Sequence, residues 1–341
     1  MTKTIPVEQA VGMVLPHDIT EIRTEEFKGR AFKKGHIIQP EDIERLKRLG
    51  KDNIYVLELG PDDIHENEAA ELMAGALAGP GTLVSGEPVE GKLNLVAAHD
   101  GLLKVDVDSL YRFNLLGEVM CATLHNNTPV KKGDQLAGTR LIPLVSKREI
   151  VNTAVELGEK DGGIITVATL KKAKAGLIIT GNEVFHGRIK DAFEPVLRKK
   201  LEKLGSEVVA VRFAPDNIET IAAEIKSCLE AGADIIITSG GMSVDPDDVT
   251  RQGIARAGAK DIVYGTPVLP GAMFLVGYIG EVPVLGLPAC GMFHKITVFD
   301  LVLPRVLCGE KISRHDMAML GHGGLCRQCK TCAYPICGFG K

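Results

Sequence analysis

Residues 234–250 read Asp-Ile-Ile-Ile-Thr-Ser-Gly-Gly-Met-Ser-Val-Asp-Pro-Asp-Asp-Val-Thr. An apolar run from Ile235 to Ile237 meets two glycines and then three aspartates before helical spacing resumes. A short apolar run closed by turn signals predicts a strand buried on both faces, the kind found in parallel sheets. The pattern recurs on either side. Ala175–Thr180 is one such strand, and Glu207–Phe213 is another. Between them Phe193, Val196, Leu197, Leu201 and Leu204 follow helical spacing, with Pro195 tolerable in the first turn. Ile218, Ile221, Ala222, Ile225 and Leu229 mark a second helical face, and Val249 to Ala257 a third helix. Strands alternating with helices imply right-handed βαβ units and a parallel sheet. Phe274–Ile279 and Val282–Leu287 predict an added hairpin, and Phe293 to Val306 a final helix.

The upstream half reads differently. Pro40 to Gly50 predicts a short helix and Ile54 to Leu57 a strand. Residues 61–80 read as a helix followed by a break. From Val84 to Leu144 short strands lie between Gly and Asp turns: Lys92–Ala98, Leu102–Asp106, Glu118–Leu124 and Leu136–Leu144. The expected architecture is therefore α/β. A parallel-sheet, three-layer domain over 171–308 follows a small α+β segment (1–60) and a β-rich domain (61–170). A cysteine-rich tail occupies 309–341.

Composition narrows the function. Of 341 residues 45% are hydrophobic and 25% charged, which excludes a mainly disordered chain. The net charge of −4, no Trp and 4% aromatics offer neither a basic footprint nor a stacking platform, so no nucleic-acid partner is expected. The apolar stretch from Gly265 to Phe293 is broken by Pro267, Pro270, Pro283 and Pro288, so no membrane span is expected. The opening residues lack a signal-peptide pattern, and a cytoplasmic, reducing location is expected.

In open α/β sheets ligands bind beyond the carboxyl ends of the strands. That rule selects three loops: Thr180-Gly181-Asn182-Glu183 extending to Gly187 and Asp191; Pro215-Asp216; and Ser239-Gly240-Gly241-Met242-Ser243 through Asp248 and Thr250. Glycines let a backbone approach an anion closely. The carboxylates Asp191, Asp216 and Asp248 could hold Mg²⁺. Structural readings compete in two of these loops: Asp245-Pro246 fits a helix cap followed by Pro, Asp247 and Asp248 complement a helix dipole, and Asp216 suits the cap of the next helix. No P-loop lysine, dinucleotide fingerprint or nucleophile elbow is present.

These loops resemble the molybdopterin-binding domain of molybdopterin adenylyltransferases and molybdenum insertases. Leu269-Pro270-Gly271 and Gly286-Leu287-Pro288 resemble the insertase branch, as does the segment from Ala31 to Val56. The resemblance is specific over residues 174–306. It implies a cytosolic domain for a phosphorylated pterin, with Mg²⁺ and an adenylyl group. Asp191, Asp216 and Asp248 match the acidic positions that would do catalytic work. Thr180, Gly181, Asn182, Glu183, Ser239, Gly240, Gly241, Ser243, Thr250, Pro270, Gly271 and Pro288 would bind the cofactor. The insertase pattern continues with Gly-Asn-Pro, whereas Ala289-Cys290-Gly291 stands here, and apolar Leu269 and Ala272 flank Pro270-Gly271. Charge for phosphate or molybdate is thereby removed. Pterin or nucleotide binding is expected ahead of metal insertion, as enzyme or as carrier. Asp247-Asp248 and Thr250 also resemble the competence-damage-inducible family, which acts on pyridine-nucleotide derivatives. A molybdoenzyme or another cofactor-assembly protein is the expected partner, and a homo-oligomer the expected state.

Cys326, Cys329, Cys332 and Cys337 follow C-x2-C-x2-C-x4-C. Ferredoxin-like runs share the first two intervals. Zinc ribbons instead separate two C-x2-C pairs widely. Four thiolates in a short segment are expected to hold an iron–sulfur cluster or Zn²⁺. Cys290 could serve as a soft ligand or simply be a small buried residue.

Overall fold

The computed structural model describes residues 2–23, 27–57 and 60–341. The expected first segment, 1–60, thus includes residues outside the description. The chain divides into two compact units, residues 1–126 with 130–167 and residues 168–341 with 127–129.

In the first unit, Thr2–Pro6 pairs antiparallel with Asn53–Leu57, placing Ile5 opposite Ile54. Val7, Leu15, Ile38 and Leu46 fill a small core. Leu46 comes from the helix Asp42–Arg48, which carries acids in its first turn and bases in its last, each opposite to the helix dipole. Further along, Thr82–Val89, Lys92–Ala97, Gln135–Leu141 and Val119–Thr123 form a four-stranded sheet in that order. Helix Glu66–Leu77 buries Met73 and Leu77 in one cluster with Leu93, Leu95 and Phe113. Sequence reading expected a helix over 61–80, but Asp63–His65 is a strand and the helix starts at Glu66. Two further helices, Val107–Asn114 and Arg148–Glu159, interrupt the β-rich pattern.

The second unit is the α/β domain. Its six-stranded sheet runs Glu207–Ala214, Lys174–Thr180, Ile235–Ser239, Val282–Leu287, Leu275–Ile279, Lys260–Tyr264. The first four strands are mutually parallel, and the two pairings that follow are antiparallel. Side chains alternate across the sheet. Leu177, Ile179, Ile235 and Ile237 meet Leu197 and Leu201 of helix Phe193–Lys203 and Phe299, Val302 and Leu303 of helix Val298–Leu307. Ile178 and Ile236 meet Ile221 and Ile225 of helix Ile218–Glu230 and Ile254 of helix Thr250–Arg256. Period-two alternation thus supplies two apolar faces, and the helices cover both, giving three layers. Each buried Leu, Ile, Val or Phe contributes about 1.5–3 kcal/mol relative to exposure. The expected hairpin of Leu275–Ile279 and Val282–Leu287 is present, with Leu275 opposite Gly286.

The last helix departs from expectation. Cys290–Phe293 is a separate turn, His294 is extended, and Val298–Leu307 begins under a capping box of Thr297 and Asp300. Asp300 Oδ2 accepts the Thr297 N–H at 2.8 Å. A helix Arg314–Met319 follows, with a matching box from Ser313 and Asp316.

Candidate functional site

Glu207–Ala214, Lys174–Thr180 and Ile235–Ser239 end side by side, and the loops leaving them line a cavity of about 680 Å³. That is within the usual ~300–1,000 Å³ of small-molecule sites. Its walls include Thr180, Gly181, Glu183, Asp191, Asp216, Gly240, Gly241, Ser243 and Asp248. Pro270, Gly271 and Pro288 close it from the loops around the added hairpin. Asn182, Ser239 and Thr250 stand behind the lining, where they hold it in place.

The floor is built by two hydroxyls. Thr180 Oγ1 donates to the Ser239 carbonyl at 2.9 Å and lies 3.0 Å from Thr250 Oγ1. Since Thr180 has one hydroxyl proton, Thr250 is the donor between the two. Over this pair run Gly240 and Gly241, at φ of +89° and +56°. A Cβ on Gly240 would lie 2.5 Å from the Thr180 carbonyl oxygen, and one on Gly241 would overlap Thr250 Oγ1. Only glycine fits at both positions. The N–H groups of Gly241, Met242 and Ser243 have no protein acceptor among the described residues. Ser239 Oγ is fully buried and also without a partner among the described residues. Successive unpaired N–H groups in a tight turn form an anion-receiving concavity.

The rim is acidic. Asp216 Oδ2 accepts the Asn182 N–H at 2.9 Å. Burial pushes the Asp216 carboxyl above its ordinary pKa, and the charges of Glu183, Asp248 and Asp247 push the same way. Asp248 Oδ2 accepts the Asp245 N–H at 3.2 Å. Asp191 has a structural role. Its two oxygens accept the N–H groups of Phe193 and Glu194 at 2.8 and 2.9 Å, starting helix Phe193–Lys203. The cap readings of the other aspartates do not hold. Asn217, not Asp216, caps Ile218–Glu230 by accepting from Thr220. No helix begins at Asp245-Pro246; the helix begins at Thr250.

Sequence reasoning overlooked Lys190 and Met292, which also line the cavity, as does Met242 of the third loop. Lys190 is its one Lys or Arg among the described residues. Its position next to Asp191 was the available signal. Gly187 and Gly286 lie outside the lining; Gly286 instead makes room for Met242, whose Cε would sit 2.7 Å from a Cβ there. Cys290 lines the wall, and burial raises its thiol pKa, so it stands as a neutral thiol.

Among the described residues no three His, Cys, Asp or Glu side chains converge on one point as a metal cage. Mg²⁺ rarely uses such a cage; it takes one or two carboxylates plus substrate phosphates, and Asp216 and Asp248 supply carboxylates of that kind. The four tail cysteines form no such group either. No described helix is long and apolar enough to cross a membrane.

The family described as "Probable molybdopterin binding domain" matches residues 176–307, and a domain of unknown function matches 4–58. A CinA-like protein of Mycobacterium avium (strain 104) is 34% identical over 96 residues, 28% of this chain and 22% of that protein. One from Mycobacterium tuberculosis (strain ATCC 25618 / H37Rv) is 36% identical over 91 residues, 27% of this chain and 21% of that protein. The chain therefore spans about a fifth of the length of these relatives. Among solved structures, the molybdopterin biosynthesis Mog protein from Mycobacterium ulcerans aligns with a TM-score of 0.35 and 23% identity, covering 40% of this chain and 97% of that one. The molybdopterin biosynthesis moea protein from Pyrococcus horikosii aligns with a TM-score of 0.34 and 17% identity, covering 91% of this chain and 76% of that one. The family match is confined to residues 176–307, less than half of the chain.

Proposed function

We propose that the α/β unit binds molybdopterin, or a related phosphorylated pterin or nucleotide, and acts in molybdenum-cofactor biosynthesis or delivery. One observation carries this reading: the Gly240-Gly241 floor, with its unpaired N–H groups, lies under a rim of carboxylates. A phosphate fits the floor but is repelled by the rim, unless a divalent cation lies between them. Mg²⁺ held by Asp216 and Asp248 would neutralise that charge and orient a phosphoryl or adenylyl group. Lys190 would add a second positive charge toward the ligand. Thr180 and Thr250 fix the floor, and Asn182 fixes Asp216, so the chain contributes positioning and charge control. Asp191 serves through the helix it starts.

Catalysis would be Mg²⁺-dependent adenylyl or molybdate transfer. The test is transfer assayed with molybdopterin, Mg²⁺ and ATP or molybdate, with Asp248→Ala expected to abolish turnover. Turnover retained in that variant would overturn the catalytic assignment. Pterin retained without turnover would make the protein a carrier that hands its cargo to a cofactor-assembly protein or molybdoenzyme. A cytoplasmic location and a homo-oligomeric state belong to the same proposal. The identity with CinA-like proteins supports a second reading, hydrolysis of an ADP-ribose-like nucleotide. Release of AMP from such a substrate would favour it.

A further inference from the structure

Residues 320–341 are folded onto the α/β unit rather than trailing from it. Phe339 is 4% exposed and sits in one cluster with Leu301 and Val302. A Cβ on Gly340 would overlap Leu301, and one on Gly323 would overlap Lys341. The Gly340 N–H donates to the Gly323 carbonyl at 2.9 Å, so the two ends of the segment meet. Near its start, Leu325 bridges Leu269 in parallel: the Leu269 N–H donates to Gly324 O and the Cys326 N–H to Leu269 O, both at 2.8 Å. Between these fixed points, residues 326–341 form neither helix nor strand.

This irregular loop carries four cysteines, two half-buried and two exposed. Cys326, Cys329, Cys332 and Cys337 all line one cavity of about 440 Å³. No disulfide ties them; all are free thiols. The remaining wall combines apolar Ile296, Tyr334 and Phe339 with the cations Lys295 and Arg327. The Gln328 N–H points at Cys326 Sγ, 3.5 Å away. Amide donors and cations around sulfur are what a negatively charged thiolate assembly requires.

Two properties choose between one ion and a cluster. A structural Zn²⁺ holds four sulfurs at about 2.3 Å from one centre, so its thiols must nearly touch. All four line one cavity of about 440 Å³, a space much larger than one ion needs. In a four-iron cluster each thiolate binds a different iron, so the sulfurs stand apart around a shared body. The spacing C-x2-C-x2-C is that of ferredoxin-like runs.

We propose that Cys326, Cys329, Cys332 and Cys337 ligate a [4Fe–4S] cluster in this cavity, each thiol giving up its proton to bind one iron. The site is independent of the reading of the pterin cavity. It is nonetheless joined to it by hydrogen bonds, because Leu269 lines that cavity and holds Cys326 through its carbonyl.

The test is anaerobic reconstitution of the full chain with ferric iron, sulfide and a thiol reductant, which reduces part of the iron to give a core of mixed ferric and ferrous ions, followed by iron, zinc and acid-labile sulfide analysis. About four iron and four sulfide per chain are expected, with thiolate-to-iron charge-transfer absorption. The exposed Cys329 and Cys332 are suitable for substitution without disturbing the core. Cys329→Ser and Cys332→Ser should each lose at least half of the bound iron while keeping the wild-type circular dichroism. Cys308→Ser, outside the cavity, should keep it all. One tightly bound zinc per chain with no iron uptake would overturn the proposal, as would folded protein without metal or full iron content in both serine variants.

Discussion

Asn182 and Asp216 hold the ends of two neighbouring parallel strands to each other. The Asn182 N–H donates to Asp216 Oδ2 at 2.9 Å, and the Asp216 N–H donates to Asn182 Oδ1 at 3.3 Å. The carboxylate is thereby fixed at the mouth of the cavity, although burial and three neighbouring acids disfavour its charge. A site that keeps a costly charge gives up stability for function. Asp216→Asn preserves an acceptor for Asn182 while removing the charge. Without Mg²⁺ the variant should melt no lower than wild type, and its Mg²⁺-dependent ligand affinity should fall about 10–100-fold. Calorimetry and dialysis on the same preparation check both halves.

Gly241 and Gly187 separate steric from conformational cost. Both have positive φ, but a Cβ overlaps Thr250 Oγ1 at Gly241 and meets nothing within 4 Å at Gly187. Gly187→Ala should cost only the left-handed backbone strain, about 1–2 kcal/mol, and keep ligand binding. Gly241→Ala should cost more and also weaken binding, because the floor must shift. Thermal melts with and without ligand distinguish the two.

Most of the α/β unit was legible because strands buried on both faces carry unbroken apolar runs, as in Ile235-Ile236-Ile237. The edge strand Lys260–Tyr264 was not, since its first three residues are exposed and carry no apolar run. Helix Arg148–Glu159 buries only Val151, Ala154 and Gly158, too faint a stripe to stand out among short strands. The start of the last helix was readable but unread: Thr297-Val298-Phe299-Asp300 is a capping-box pattern. The three loops of the cavity followed from one rule about strand ends. Lys190 did not, because its place beside Asp191 was the one signal and the rule about strand ends does not weigh it.

Asp316 gives a pH signature away from the cavity. Burial raises its carboxyl pKa, but hydrogen bonds from the Ser313 side chain and backbone and the Arg305 guanidinium outweigh that and lower it to about 2. Arg305 Nη2 donates to Asp316 Oδ1 at 2.6 Å. A depressed folded-state pKa stabilises the fold above the unfolded-state value, about 3.9, and that contribution disappears as pH falls toward 2. Asp316→Asn should lower the urea midpoint at pH 6. The gap from wild type should close between about pH 4 and pH 2.

The central claim is that the carboxylate rim and the glycine floor together hold a phosphorylated pterin through a divalent cation. Equilibrium dialysis of the full chain against molybdopterin, with and without Mg²⁺, tests it most directly. Saturable binding of about one pterin per chain is expected, weakened when Mg²⁺ is chelated and lost in Asp248→Ala. Binding that is indifferent to both Mg²⁺ and Asp248, or no pterin binding by folded protein, would contradict it.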